Sequence, residues 1–145
     1  MKTNAIEVEM LSSHILCIDD RPELLKLRKG SLEQQGYEVE TATNAITAIK
    51  AMAKHPAAAV LLDYKLEGVD AQALAYLIKQ RHPHVPIVLL SAYSEMPESL
   101  LWLVDEYVMK SEPVDKLAEI INKVISAQKI RPYSGELQKR IAGAA

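Results

Sequence analysis

The chain has a single cysteine, Cys17, which leaves no means of building an intramolecular disulfide framework or a cysteine-based zinc cage. It also lacks an excess of charge. The 17 Lys+Arg and 19 Asp+Glu leave a formal net charge of -2, with no global attraction towards nucleic acid or an anionic membrane. No apolar run approaches the roughly 18 residues that would mark a bilayer span. The opening MKTNAIEVEMLSS carries acids and has no apolar h-region, so it does not read as a secretory signal. Internal repeats and low-complexity tracts are absent. What is present is ordinary globular usage, 49% hydrophobic and 25% charged, over 145 residues, about one domain's worth and enough to bury a core. These properties predict a soluble, cytoplasmic single domain.

Short apolar runs alternate with amphipathic stretches five times. The runs are His14–Ile18, Glu38–Thr41, Ala58–Leu62, Ile87–Leu90 and Tyr107–Met109, each too short for a helix and most of them apolar enough for strands buried on both faces. Glu38–Thr41 is more polar and reads as closer to a sheet edge. Between the runs, Pro22–Gln35 carries Leu24, Leu25, Leu27 and Leu32, begins with Pro in its first turn and stops at Gly36. Asn44 caps a second helix that ends before Pro56, and Asp70 caps a third that ends before Pro83. A short fourth helix follows Pro97 (ESLLWLV), and a fifth runs from about Pro113 to Gln128. Strand–helix alternation over five units predicts an α/β fold, a doubly wound five-stranded parallel sheet with helices on both faces.

In such sheets ligands bind beyond the carboxyl ends of the strands. Asp19 and Asp20 follow the first run, Asp63 the third, Ser91 the fourth and Lys110 the fifth. Any one of them has a plain structural reading: a helix cap for Asp20, a loop serine, a solvated lysine. Those readings do not explain why all five fall on one rim. Converging carboxylates repel one another, and a hard divalent cation with oxygen ligands relieves that repulsion. A metal, a lysine and a hydroxyl around one carboxylate suit phosphoryl transfer, with Asp63 as the nucleophile that forms an aspartyl phosphate.

With ILCIDD, VLLDYKLEGVDA, LLSAYSE and YVMK in this order on matching elements, the sequence resembles a response-regulator receiver domain of two-component signalling, of the chemotaxis-type single-domain kind, over about residues 12–128. The resemblance implies a flavodoxin-like (βα)5 fold and an aspartyl phosphate at Asp63, donated by a sensor histidine kinase or phosphotransfer protein. It implies Mg2+ held by Asp19, Asp20, Asp63 and the backbone carbonyl of Lys65. It further implies that Ser91 and Lys110 bond the phosphoryl oxygens, that Tyr107 is the switch aromatic, and that Ala92 leaves the pocket mouth open. A receiver so phosphorylated changes the surface it offers an unknown downstream protein, or a second copy of itself in a homodimer, and is not a classical enzyme. Three departures stand out. Lys110 is followed by Ser111-Glu112-Pro113 instead of directly by Pro, so the Lys110–Ser111 bond is expected to be trans. Glu67 replaces a common proline, and the Ser91–Lys110 stretch is short, which shortens the fourth helix.

Residues 1–11 read as an N-terminal extension and 129–145 as a tail too small to be an output domain. His82 and His84 lie between two prolines with no further ligand to complete a metal site, Cys17 reads as core, and no helix-turn-helix or basic stripe suggests direct nucleic-acid binding. The run from Leu100 to Val104 cannot turn every apolar side chain inward, so some of it should be exposed. Two other functions remain open. One is a degenerate receiver acting as a constitutive scaffold. The other is a haloacid-dehalogenase-like phosphatase, although Lys65 stands where that family wants a second Asp.

Overall fold

The structure is a computed structural model and describes residues 13–65 and 70–129. Its strands are β1 (His14–Ile18), β2 (Glu38–Ala42), β3 (Ala59–Asp63), β4 (Ile87–Ser91) and β5 (Glu106–Met109). The helices are α1 (Pro22–Gln34), α2 (Ala45–Lys54), α3 (Ala71–Arg81), α4 (Glu98–Leu101) and α5 (Val114–Lys129). All strands are parallel in the order β2-β1-β3-β4-β5. The polar β2 is an edge, as its sequence predicts, and β3 is central. The extension at 1–11 and all of 129–145 except Lys129 lie outside the described residues, as do Glu67 and Gly68.

Side chains alternate across each strand, so neighbours in sequence enter different layers. Ile15, Cys17, Leu61, Val88 and Leu90 pack against Leu25 and Leu32 of α1 and Leu117, Ile121 and Ile125 of α5. Leu16, Ile18, Val60, Leu62, Ile87 and Leu89 pack against Ala48 and Met52 of α2, Leu74 and Ile78 of α3, and Leu100. Burying β1, β3 and β4 on both faces is what allows their near-continuous apolar runs.

Local chemistry sets the helix starts. Asn44 Oδ1 accepts from the Thr47 N–H at 2.9 Å. Asp70 Oδ1 accepts from Gln72 N–H at 2.9 Å and Ala73 N–H at 3.3 Å. α1 begins differently: its N-cap is Arg21, which makes no side-chain cap bond, followed by Pro22 in the first turn. Asp20 is therefore not its cap. Gly36, at φ 99°, takes the left-handed conformation that turns the chain into β2.

The fourth helix is shorter than the 98–104 pattern predicts, four residues from Glu98 to Leu101. Only Leu100 is buried there, and Asp105 draws the chain into the sheet immediately afterwards. Asp105 N–H donates to Ile87 O at 2.8 Å, while Asp105 Oδ2 accepts from Ile87 N–H at 2.8 Å and from Lys79 Nζ at 2.6 Å. This anchor leaves no length for another turn and strands Trp102 in solvent at 81% exposure.

Candidate functional site

The parallel ladder continues past the strand ends and lines up the polar residues. Asp19 N–H donates to Ala42 O at 3.1 Å, Tyr64 N–H to Leu90 O at 2.9 Å, and Lys110 N–H to Ser91 O at 2.8 Å. Asp63 and Ser91 are themselves the last residues of β3 and β4. Because all strands run the same way, Asp19, Asp20, Asp63, Ser91 and Lys110 meet at one rim. Asp19, Asp63 and Ser91 are buried, and Asp20 is half-buried.

Carboxylate oxygens of Asp19, Asp20 and Asp63 lie within 4.8 Å of one another. Lys110 Nζ is 2.7 Å from Asp63 Oδ1 and 3.9 Å from Asp19 Oδ2. Asp63 Oδ1 also receives a long hydrogen bond, 3.4 Å, from the Lys65 N–H, and Asp19 Oδ1 accepts from the Arg21 N–H at 3.1 Å. Like charges so close are tolerable only beside cations or an ion. An all-oxygen donor set with three carboxylates is the chemistry that a hard divalent cation takes, so the residues present fit one. Among the described residues this is the one group of three or more acidic, His or Cys side chains close enough to hold a metal.

Ser91 and Tyr107 are linked through the backbone of a single residue, Tyr93. The Tyr93 N–H donates to Ser91 Oγ at 2.9 Å, and the half-buried Tyr107 donates its hydroxyl to the Tyr93 carbonyl. Lys65 reaches over the Tyr93 ring with Nζ 5.0 Å from the centroid, and Tyr64 meets the same ring edge-on at 6.2 Å. Hydrogen bonding to the Tyr93 side chain, with a smaller charge interaction, holds the Lys65 pKa above its usual value. Ala92 is exposed beside the site. No peptide among the described residues is cis, so Lys110–Ser111 is trans as its sequence predicts, and the lysine reaches Asp63 without the usual proline step.

One participant escapes the rim argument. Arg28 of α1 places Nη1 3.3 Å from Asp19 Oδ2, making a second cation at the cluster. The signal was available: Arg28 falls between the buried Leu25 and Leu32 at helical spacing, so it lies on the inward face. Helical side chains lean towards the N-terminus, which carries the guanidinium up to the rim. Conversely, Cys17 lies deep under the site, and burial pushes its thiol up to about 12. It serves as core.

The family model for the response regulator receiver domain matches residues 15–122. Among curated proteins, the nitrogen assimilation regulatory protein NtrX of Azorhizobium caulinodans is 28% identical over 134 residues, covering 89% of this chain and 30% of that protein. The sensor histidine kinase GacS of Pseudomonas protegens is 32% identical over 126 residues, covering 79% of this chain and 14% of that protein. The chain thus spans less than a third of the length of these relatives. Among solved structures, the response regulator TrrA of Thermotoga maritima in complex with Mg(2+)-BeF superposes with a TM-score of 0.72 at 34% identity, covering 77% of this chain and 98% of that one. NtrX of Brucella abortus gives a TM-score of 0.78 at 28% identity over 90% of this chain and 30% of that one. No helix among the described residues is long and apolar enough to cross a membrane. A sheet of order β2-β1-β3-β4-β5 with acids, hydroxyl and lysine on one rim, and a family match over residues 15–122, lead to one conclusion: the chain belongs to the response regulator receiver domain family of two-component systems.

Proposed function

We propose that Asp63 accepts a phosphoryl group from the phosphohistidine of a sensor histidine kinase or phosphotransfer protein, and that the resulting charge changes the surface offered to a downstream protein. The observation that carries this reading is the 2.7 Å pair between Lys110 and Asp63 inside a cluster of three carboxylates. An Asp63 oxygen attacks phosphorus, the N–P bond breaks, and the imidazole leaves and takes up a proton. Asp19, Asp20, Asp63 and the Lys65 carbonyl would hold Mg2+, which when bound supplies charge neutralisation to the phosphoryl oxygens. Lys110 exchanges part of its pairing with the carboxylate for a phosphoryl oxygen, and the Ser91 hydroxyl donates to another.

Movement of Ser91 towards the phosphoryl group pulls on the Tyr93 N–H, and the Tyr93 carbonyl on the other side of that residue is what the Tyr107 hydroxyl holds. Tyr107 is thereby coupled to Ser91 through the Tyr93 backbone, which supports its role as the switch aromatic. Residues 12–128 form the unit that carries the function, outside any membrane and without direct contact to nucleic acid, and we place it in the cytoplasm. The Mg(2+)-BeF complex of the Thermotoga relative supports the choice of ion.

The test is incubation with a small phosphodonor and Mg2+, followed by intact-mass measurement and mapping. Wild type gains one phosphoryl group at Asp63, and Asp63→Asn, nearly isosteric, folds and gains none. Uptake by that variant at the wild-type level refutes the assignment. Failure of wild type to take up phosphate from both small donors and a phosphorylated kinase domain favours the constitutive scaffold.

A further inference from the structure

Two cations already lie at Asp19 in the acidic cluster. Lys110 approaches Oδ2 from the β5 side at 3.9 Å, and Arg28 approaches the same oxygen from α1 at 3.3 Å. Arg28 is held among buried neighbours, with its side chain 17% exposed, so this is not a solvated surface pair whose geometry is incidental. The Asp19 carboxylate is itself fully buried, and its other oxygen already accepts from the Arg21 N–H. Arg28 also lines a pocket of about 210 Å³ together with Leu24, Lys110 and Glu112, which gives the guanidinium somewhere to withdraw.

We propose that Arg28 is a positioning residue that acts as an internal counter-ion of the metal site, competing with the divalent cation for Asp19 and thereby weakening Mg2+ binding. A cation entering among the three carboxylates meets Arg28 on one of its ligands. It must either displace the guanidinium into the pocket or bind against its charge. Both routes cost affinity. Even screened as strongly as in water, one positive charge about 6 Å from a divalent ion lowers its affinity about tenfold, and the weaker screening of a buried cluster makes this a lower bound. In exchange, Arg28 holds the ion-free cluster together by offsetting carboxylate repulsion. The inference rests on the metal site proposed above, and the experiment separates the two.

Mg2+ is titrated by calorimetry into full-length wild type, Arg28→Met, Arg28→Gln, Arg28→Lys and Lys26→Met, with no phosphodonor present. The two neutral variants should bind Mg2+ at least about tenfold more tightly than wild type, while Arg28→Lys stays within about twofold. Lys26→Met, which removes an exposed charge from the same helix, should also stay within about twofold. In parallel, the neutral variants should melt lower than wild type without Mg2+ and gain more from its addition, since a tighter ligand stabilises more. Arg28→Gln guards against an unfolded Met variant. A neutral variant that folds yet binds Mg2+ no more tightly than wild type overturns the proposal and leaves the metal site standing. Absence of Mg2+ binding in every variant, wild type included, overturns the metal site and this inference with it.

Discussion

Replacing Lys110 with methionine removes the ammonium while keeping most of the side-chain volume, and its cost follows from the geometry. At an effective dielectric of about 20, charges 2.7 and 3.9 Å apart attract by about 6 and about 4 kcal/mol before desolvation is counted. Taking the ammonium out of water offsets most of this. Truncating one partner of a buried pair costs about 3–5 kcal/mol, whereas exposed pairs are worth about 0–1 kcal/mol. With the Lys110 side chain 24% exposed and that of Asp63 3% exposed, the site lies nearer the buried limit. The expected loss is about 2–3 kcal/mol at pH 7 without Mg2+, a fall in Tm of about 10 °C. Urea denaturation followed by circular dichroism measures it. In an Asp63→Asn background the loss from Lys110→Met should shrink to about 1 kcal/mol or less, because the main partner charge has gone. A loss below about 0.5 kcal/mol in wild type, or an equal loss in both backgrounds, refutes the electrostatic account of the rim.

Other expectations follow from the same structure. Burial raises Cys17 from 9.0 to about 12. The unfolded chain therefore releases that proton first, and stability is fully present below pH 9 and falls between pH 9 and 12 by up to about 1.4 kcal/mol per unit; the fall should be shallower in Cys17→Ala, and identical denaturation curves for both proteins across that range contradict it. Tyr37, raised to about 12 by burial, adds to the same decline. Lys65 and Tyr93, which stack on each other two residues past Asp63 and Ser91, should shield an aspartyl phosphate from water. The Lys65→Asn, Tyr93→Glu double variant is then expected to lose phosphate several-fold faster under the same Mg2+, and an unchanged half-life disposes of the shielding idea. Trp102, 81% exposed, should emit as a solvated indole, and Trp102→Ala should cost less than about 0.5 kcal/mol in chemical denaturation. A blue-shifted emission in the folded protein would contradict that placement.

The strands, the helices and the identity of five rim residues are legible in the sequence because each depends on local chemistry. A parallel sheet demands short apolar runs, Asn44 and Asp70 announce helix starts, and polar residues directly after apolar runs must lie at the carboxyl rim. The polar composition of Glu38–Thr41 even placed it at an edge. Tertiary structure decided the rest. The fourth helix ends at Leu101 because Asp105 is claimed by Ile87 and Lys79, residues far away in the chain that no helical periodicity can sense. Arg28 illustrates the same limit. Its spacing from Leu25 and Leu32 puts it on the inward face of α1, but which group it meets there depends on how α1 packs against β1. Charge pairing acts through space over a few ångströms, so only the folded chain determines that Asp19 faces two cations and that Lys110 gives Asp63 the shorter bond.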